Sequence, residues 1–326
     1  MTIDAQILTA LRAGEDRFVT GGDLAQHLGL TRAAIAARIH ELRTLGYEIE
    51  ASPHDGYRLR ACPDLLHADD LVSRLGKPRV VGRDIRVFRE TTSSNDVAEK
   101  LAADGVKEGV VVFAESQSKG RGRLGRRWIS PARKGLWFSI LLRPALRPFE
   151  ATRLTIAAAT ALFRAIRAET GLFPEIKWPN DLLVRGKKVA GILTELKAEL
   201  DPLRYLVLGI GVDVNLNASD FSDELRKTAT SLKIESGESV DRAALAASIL
   251  RELDRDYARL CSGQFEAIAE EWEEHCTTIG RNVVIDLAGR KIQGRAECLD
   301  ADGALLLRTQ HGRLERMVGG DVRVEK

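Results

Sequence analysis

Two apolar, β-branched runs, "GVVVFAES" (Gly109 to Ser116) and "LWFSILLRP", bracket a segment that neither a helix nor a strand can hold. Each run has the length and composition of a buried strand. Between them stands "SKGRGRLGRRW" (Ser118 to Trp128), with glycines spelled Gly120-x-Gly122-x-x-Gly125 and arginines in the gaps. The same spelling opens dinucleotide-binding folds, but there the last glycine starts a helix and an acid about 20 residues on holds a ribose. Here "RRWISPARKG" follows, with Pro131 and no helical period, before the second strand begins. A Walker A loop, GxxxxGK[ST], and the downstream signatures of a kinase are both absent from the sequence. The segment therefore reads as strand, loop, strand. Its glycines let the backbone approach a ligand and expose N–H donors, while its arginines attract carboxylate or phosphate oxygens. A solvated basic loop, or a second nucleic-acid contact, stays open as an alternative at this point.

Charge sharpens the reading. From Ser116 to Lys134 the chain carries Lys119, Arg121, Arg123, Arg126, Arg127, Arg133 and Lys134 with no acid, whereas all 326 residues together have a formal net charge of only +2. Affinity for an anion is thus local. Repulsion among these cations and the entropy of the glycines predict a loop that is mobile when empty and ordered by its ligand. Apolar and charged fractions of 44% and 29% are those of a globular protein, and the length allows two or three domains. No run approaches the roughly 18 apolar residues of a membrane span. The start "MTIDAQILTA" lacks a basic segment followed by an apolar one, so the expected location is the cytoplasm, with no membrane partner. Cys62, Cys261, Cys276 and Cys298 form no CxxC pair and are expected as free, buried thiols.

Residues 3 to 60 read as a small module. Ile3, Ile7, Leu8 and Leu11 share one helical face, and a second helix containing Leu24 and Leu28 stops at Gly29. Thr31 can cap a third, whose apolar face is Ile35, Ile39 and Leu42 and whose other face carries Arg32, Arg38, His40 and Arg43, before Gly46 ends it. "YEIEAS" and "YRLRA", joined through His54-Asp55-Gly56, then form a hairpin. The order is that of a winged helix-turn-helix, in which Thr31, Arg32, Arg38, His40 and Arg43 would meet DNA phosphates and base edges. A helical domain with a merely solvated basic face is the bland alternative. One such module reads a half-site, so a dimer on a palindromic operator is expected. "CPDLLHADDLVSRLGKPRV" after it holds a short helix and reads as a linker.

A second constellation lies in "EIKWPNDLLVRGKKVAGILTEL" (Glu175 to Leu196). Lys177, Trp178, Pro179, Asn180 and Asp181 precede an alternating strand, and a turn at Arg185-Gly186 leads through Lys187-Lys188 to a second strand containing Gly191. A lysine can act as a point charge for phosphate, and Asn180 with Asp181 can offer oxygens to Mg²⁺. Singly, Asn180 and Asp181 could only cap a turn, and Lys187 or Lys188 could be plain surface charges.

Taken together the segments resemble the bifunctional biotin protein ligase and biotin-operon repressor family over nearly the full length. The resemblance rests on the winged helix with "LTRAAI", on "TSSND" (Thr92 to Asp96), "AESQSKGRGRLGRRW", "KWPNDLLV", "KKVAGILTEL" and "GIGVDVNLN". The arginine-glycine loop with the KWPND element is specific to the family; the helix-turn-helix alone is not. The resemblance implies that the loop binds biotin and biotinyl-adenylate and that its nucleotide-fold spelling is coincidental. It further implies that Ser93, Ser94 and Asn95 contact the neutral ureido ring, whose donors and acceptors suit hydroxyls and an amide. Gln117 matches the glutamine before the loop; Gly120, Arg121, Gly122 and Arg123 match its ligand-contacting core. Trp128 covers the site, supports adenine or is a buried structural tryptophan, and Lys188 meets the biotin carboxylate and the phosphoryl group. Arg123, Lys188 and Asp181 are the implied catalytic residues, with Lys177, Gly191 and Asp213 also at the site. ATP, Mg²⁺ held near Asn180 and Asp181, and biotin are the implied reactants and cofactors. The implied partners are a biotin carboxyl carrier protein or carrier domain of acetyl-CoA carboxylase or a related carboxylase, operator DNA, and a second copy of the chain once the adenylate is bound. Two positions depart from the family pattern: Leu124, often arginine in repressor members, and Asp213, commonly asparagine.

The fold expected is α+β, with a winged helix-turn-helix at 1–62, a linker at 63–83, a mixed-sheet catalytic domain of the biotin/lipoate-ligase kind at 84–275, and a small SH3-like β-barrel at 276–326. "RLTIAAATALFRAIRAETG" (Arg153 to Gly171) has the apolar face Leu154, Ala158, Ala161, Leu162 and Ile166 and should cover a sheet, while "DRAALAASILRELDRDYARL" and "QFEAIAEEWEEHC" are further amphipathic helices. Short strands follow from about Thr278, with turns at Ala288-Gly289 and Asp302-Gly303. Three other readings compete: a lipoate ligase of the same superfamily, a biotin-sensing repressor without ligase activity, and an active ligase whose helix-turn-helix does not regulate transcription.

Overall fold

The computed structural model describes residues 1–198, 203–287 and 289–325. The chain divides into two compact units, Met1–Gly76 with Asp241–Ala247, and Lys77–Val240 with Ser248–Lys326.

The first unit begins with α1 (Ile3–Ala13), α2 (Gly21–Leu28) and α3 (Arg32–Thr44). Each starts at a threonine whose hydroxyl accepts a backbone N–H of the first turn: Thr2 from Ala5, Thr20 from Asp23 and Thr31 from Ala34. Gly29 ends α2 in the left-handed region at φ 65°, a conformation that costs a glycine nothing. Ile7, Leu8, Leu11, Leu24, Ile35, Ile39 and Leu42 close into one core with Tyr47 and Ile49. β1 (Glu48–Ser52) and β2 (Gly56–Ala61) form the antiparallel wing.

α4 (Ala68–Leu75) is the short helix read within residues 63–83. It packs on α1, with the Arg12 guanidinium on Asp70 and Ser73, and Arg74 Nε donating to Asp70 Oδ2 at 2.9 Å. Asp70 is only 2% exposed, and a carboxylate so buried must keep its cations, which ties the helix down. Arg74 also pairs with Asp241 at 3.1 Å, within the same unit.

The second unit is built on a seven-stranded sheet. Its strands are β3 (Asp84–Thr91), β4 (Val110–Gln117), β5 (Leu136–Leu142), β6 (Glu175–Lys177), β7 (Asp181–Val184), β8 (Lys187–Ala198) and β9 (Leu203–Val212), in the order β3-β4-β5-β9-β8-β7-β6. Only β3 and β4 run parallel; the other pairs are antiparallel, so the sheet is mixed. β5 is buried at every residue, as its unbroken apolar run predicts. α5 (Ser94–Ala103) packs against β4, β5 and β9, and α6 (Ala151–Thr170) against β6, β7 and β8. The face of α6 read from its period, Leu154, Ala158, Ala161, Leu162 and Ile166, is buried. The short α7 (Leu232–Ser236) is followed by α8 (Arg242–Cys261) and α9 (Phe265–Glu274). Arg164 of α6 joins the last two: Nε meets Glu252 at 2.5 Å, Nη1 meets Glu271 at 2.7 Å, and Nη2 meets the buried Asp256.

β10 (Asn282–Leu287), β11 (Arg290–Leu299), β12 (Leu305–Thr309), β13 (Leu314–Met317) and β14 (Asp321–Val324) form a separate antiparallel sheet in the order β13-β12-β11-β10-β14. The strands match the sequence reading, but β13 and β14 stand at opposite edges, so the expected barrel is here a five-stranded sheet without a ladder closing it among the described residues. Of the turn read at Ala288-Gly289, Ala288 lies outside the described residues. The four cysteines are free, as expected, but only Cys276 is buried; Cys62 and Cys298 are half-buried and Cys261 is exposed. Among the described residues no helix is long and apolar enough to cross a membrane.

Candidate functional site

One cavity of about 570 Å³ opens in the second unit, between the arginine-glycine loop, the start of α5, the turns around β7 and β8, and the stretch leading into β14. Every ligand residue read from the sequence lines it except Gly120: Ser93, Ser94, Asn95, Gln117, Arg121, Gly122, Arg123, Trp128, Lys177, Asn180, Asp181, Lys188, Gly191 and Asp213. Gly120 stands behind the lining. A Cβ there would lie 2.5 Å from the Trp128 carbonyl oxygen, and the Gly120 carbonyl accepts the Trp128 N–H at 2.9 Å.

One end of the cavity is polar and neutral. Ser93 caps α5, and the N–H of the buried Ser94 donates to Gln117 Oε1 at 2.7 Å while Gln117 Nε2 donates to Ser130 at 2.9 Å. Ser139, a lone hydroxyl in the apolar β5, sits 2.7 Å from Ser94 Oγ and against Asn95 Oδ1. With a single proton it donates to Asn95 and accepts from Ser94. Asn95 Nδ2 in turn donates to Glu195 Oε2 at 2.6 Å. Ser139 and Glu195 were not singled out from the sequence; the signal for Ser139 was a polar residue in the run "LWFSILL", where burial requires a partner.

The other end is charged. The turn before β7 presents Asn180 and Asp181, and β8 returns Lys188 so that its Nζ lies 2.5 Å from Asp181 Oδ1 and 5.1 Å from the Trp128 ring centroid. Arg123 Nη1 donates to Asn180 Oδ1 at 3.0 Å, and Asn180 Nδ2 donates to the Ile192 carbonyl at 2.7 Å. Burial lowers the Arg123 pKa from its ordinary value, with Asp181 and Asp321 opposing that shift. Asp213 is buried beside Lys188; desolvation raises its carboxyl well above the ordinary range and the lysine pulls it back.

Magnesium fits this end in one way. Asp181 Oδ1 is buried, and Lys188 Nζ is the cation paired with it. Among the described residues no group of three acids, histidines or cysteines could hold an ion alone. The donors therefore suit an ion that would be carried chiefly by phosphate oxygens, for which Asp181 and Asn180 would offer protein oxygens.

Glycines make the floor. Gly191 of β8 pairs with Gly211 of β9, and added Cβ atoms would lie 2.9 Å and 2.6 Å from the Trp128 indole. The indole rests on this bare backbone with its Nε1 buried and without a partner, a donor ready for a ligand acceptor. At Gly209 a Cβ would fall 2.3 Å from Asn95 Oδ1. Gly209 and Gly211 lie inside the motif "GIGVDVNLN", but no role was read for them.

The loop is held by acids from elsewhere in the chain, which a count of its own charges could not reveal. Arg121 Nε and Nη2 bond Glu195 at 3.0 and 2.8 Å, and its Nη1 meets Asp96. These bonds to Glu195 raise the Arg121 pKa, while burial pulls it the other way. Arg126 meets Asp321 at the start of β14, and Gly320 to Arg323 line the cavity. Backbone bridges Gln117 to Ser130 and Arg121 to Arg127 fold the loop back on itself. The departure at Leu124 points away: it is 72% exposed, at φ 55°.

In the first unit Arg32 and His40 are exposed on α3. Arg38 pairs with Glu41 at 2.7 Å. Arg43, expected at the DNA face, instead turns to the wing, where its Nε donates to the Ile49 carbonyl at 2.9 Å and fixes β1 against α3.

With this geometry in hand, comparison with known proteins is direct. Residues 87–213 match the Biotin/lipoate A/B protein ligase family, residues 4–58 an HTH domain, and residues 278–324 the Biotin protein ligase C terminal domain. The chain is 36% identical over 322 residues to the bifunctional ligase/repressor BirA of Bacillus spizizenii, covering 98% of each. It is 30% identical to the protein of that name from Escherichia coli, covering 98% of this chain and 97% of the relative. Among solved structures, the biotin protein ligase from Aquifex aeolicus in complex with biotin and ATP matches 75% of this chain and 99% of its own, at 28% identity and a TM-score of 0.63. The chain belongs to the biotin/lipoate A/B protein ligase family. Within that family its order of domains is that of the bifunctional ligase/repressors: helix-turn-helix first, then the ligase domain, then the C-terminal domain.

Proposed function

We propose that the chain is an ATP-dependent biotin protein ligase that also represses transcription, with biotinyl-5′-AMP serving both activities. The observation that carries the ligase half is the union, in one cavity, of a neutral hydrogen-bonding end at Ser94, Asn95 and Gln117 with a cationic end at Lys188 and Arg123. A ureido ring needs the first, and two approaching anions need the second.

In the first step the biotin carboxylate attacks the α-phosphorus of ATP, forming the mixed anhydride and releasing pyrophosphate. In the second the ε-amine of a carrier lysine attacks the anhydride carbonyl, forming the amide and releasing AMP and a proton. Lys188 and Arg123 offset charge where carboxylate and phosphate meet, and Lys177 adds to the field. Trp128 and the loop from Gly120 through Arg123 shield the anhydride from water over the glycine floor at Gly191. Asp181 and Asn180 would hold magnesium, which would supply neutralisation of phosphate charge. Asp213 stands beside Lys188, its carboxyl in place of the family's amide. No covalent enzyme intermediate is required.

The carrier is a biotin carboxyl carrier protein or carrier domain of acetyl-CoA carboxylase or a related carboxylase, and the reaction is cytoplasmic. The repressor half rests on the winged helix: adenylate-bound chains pair, and two copies of α3 meet a palindromic operator through Thr31, Arg32, Arg38 and His40. Incubating a carrier domain with this protein, ATP, Mg²⁺ and either biotin or lipoate, followed by mass spectrometry, tests the ligase. A biotin-sized gain on one lysine is expected; a lipoate-sized gain moves the substrate to the other branch of the family, and no gain leaves a biotin-sensing repressor.

A further inference from the structure

Glu195 has no part in the chemistry above, yet its carboxylate joins the arginine-glycine loop to the polar end of the cavity. It lies on β8, where Oε1 accepts from Arg121 Nε at 3.0 Å and Oε2 accepts from Arg121 Nη2 at 2.8 Å and from Asn95 Nδ2 at 2.6 Å. The third nitrogen of the guanidinium, Nη1, goes to Asp96. All three nitrogens of Arg121 thus face carboxylates, and the residue is a strut between loop and sheet. The consequence for Asn95 is orientational. A carboxylate accepts only from the amide NH₂, so Oδ1 is turned toward Ser139, and an amide that could sit either way round has one orientation. Packing reinforces it, because the Cβ that Gly209 lacks would lie 2.3 Å from Asn95 Oδ1.

We infer that Glu195 is a positioning residue for the acid substrate, holding the Asn95 amide in one orientation and, through Arg121, latching the loop's first turn at the cavity. This rests on the proposed placement of the ureido ring at Asn95. The role requires a carboxylate. Glutamine would set an NH₂ against the N–H groups of Arg121 or Asn95, donor against donor, and lose the two-bond fork.

The test uses the full chain and two readouts. In Glu195→Gln the biotin KM of ATP–pyrophosphate exchange is expected to rise about tenfold or more, with kcat and the ATP KM within about threefold of wild type. Tryptic cleavage between Lys119 and Arg127 of the ligand-free chain is expected to quicken by about tenfold, and Glu195→Asp, which keeps the charge, to recover part of the protection. A Glu195→Gln protein that unfolds at the wild-type temperature with an unchanged biotin KM overturns the inference. So does an ATP KM that rises as far as the biotin KM, since that marks general loosening. If Glu195→Gln does not fold, Glu195→Asp carries the test: the shorter side chain cannot reach Arg121 and Asn95 together, so its biotin KM and cleavage rate are both expected to rise at least about threefold, and wild-type values for both overturn the inference. A wild-type chain with no biotin-dependent exchange removes the proposed function instead; the latch is then judged on proteolysis alone, where equal cleavage rates overturn it.

Discussion

Lys188 stands where the charges of the cavity meet, 2.5 Å from Asp181 Oδ1 and close enough to Asp213 to lower its pKa against the effect of burial. Removing it withdraws the cation beside Asp181 and Asp213, and under the proposed function leaves two acids where the reacting anions would approach. Lys188→Ala is therefore expected to lower kcat/KM for biotin-dependent ATP–pyrophosphate exchange by about a hundred- to a thousandfold. Lys188→Arg should restore little, because a planar fork cannot take the place of a compact ammonium against the Trp128 face; full activity in that variant would show that only the charge counts. Asp213 makes a prediction in pH. Its folded-state pKa is raised by burial, so the folded protein keeps a proton that the unfolded chain releases above about pH 4. The stability associated with that proton is complete in acid and is lost as the pH climbs through the folded value. Asp213→Asn cannot ionise, so its stability relative to the parent should grow between pH 4 and pH 8, as read from denaturant midpoints. A difference that stays flat across that range would mean that the carboxyl ionises in the fold as it does in water.

Elements were the most legible scale, because helix and strand periods are local properties of the chain. The faces read for the first three helices and for α6, and the strand runs on both sides of the loop, are the buried faces of the fold. That α4 packs on α1 within the first unit is decided by contacts its own segment does not carry. "HADDLVSRL" is half polar by composition, and in the fold Arg12 arrives beside Asp70 while Leu71 and Leu75 are buried. The junction of α6, α8 and α9 has the same logic: Arg164 is the cation that three acids on two other helices share, and Asp256 among them is 0% exposed. Arg164→Met should destabilise by about 3–5 kcal/mol in urea unfolding, the cost of leaving a buried charge without its partner. A loss below about 1 kcal/mol would show that Arg259, which also meets Asp256 at 3.1 Å, suffices.

For the whole molecule the claim is that one ligand governs two activities, and its signature lies in the DNA. Selection of duplexes from a random pool by the full chain with biotin, ATP and Mg²⁺ should return two-fold symmetric sites with half-site centres about 34–36 Å apart or a multiple of that. Asymmetric sites, or equal recovery without biotin, would remove the ligand-dependent dimer. The sequence by itself determined the kinds of element, their order, the glycine-rich loop between two strands, and the residue types that line the cavity, because backbone period and side-chain chemistry are written locally. Only the tertiary structure decided what each arginine of the loop faces. Glu195 reaches Asn95 across 100 positions, and Arg126 reaches Asp321 across 195. Such pairings depend on the register of strands far apart in the chain, as where Gly191 lies against Gly211 and Leu193 against Gly209. No local window carries that register, so a loop that reads as seven cations and no acid folds as a strut between carboxylates.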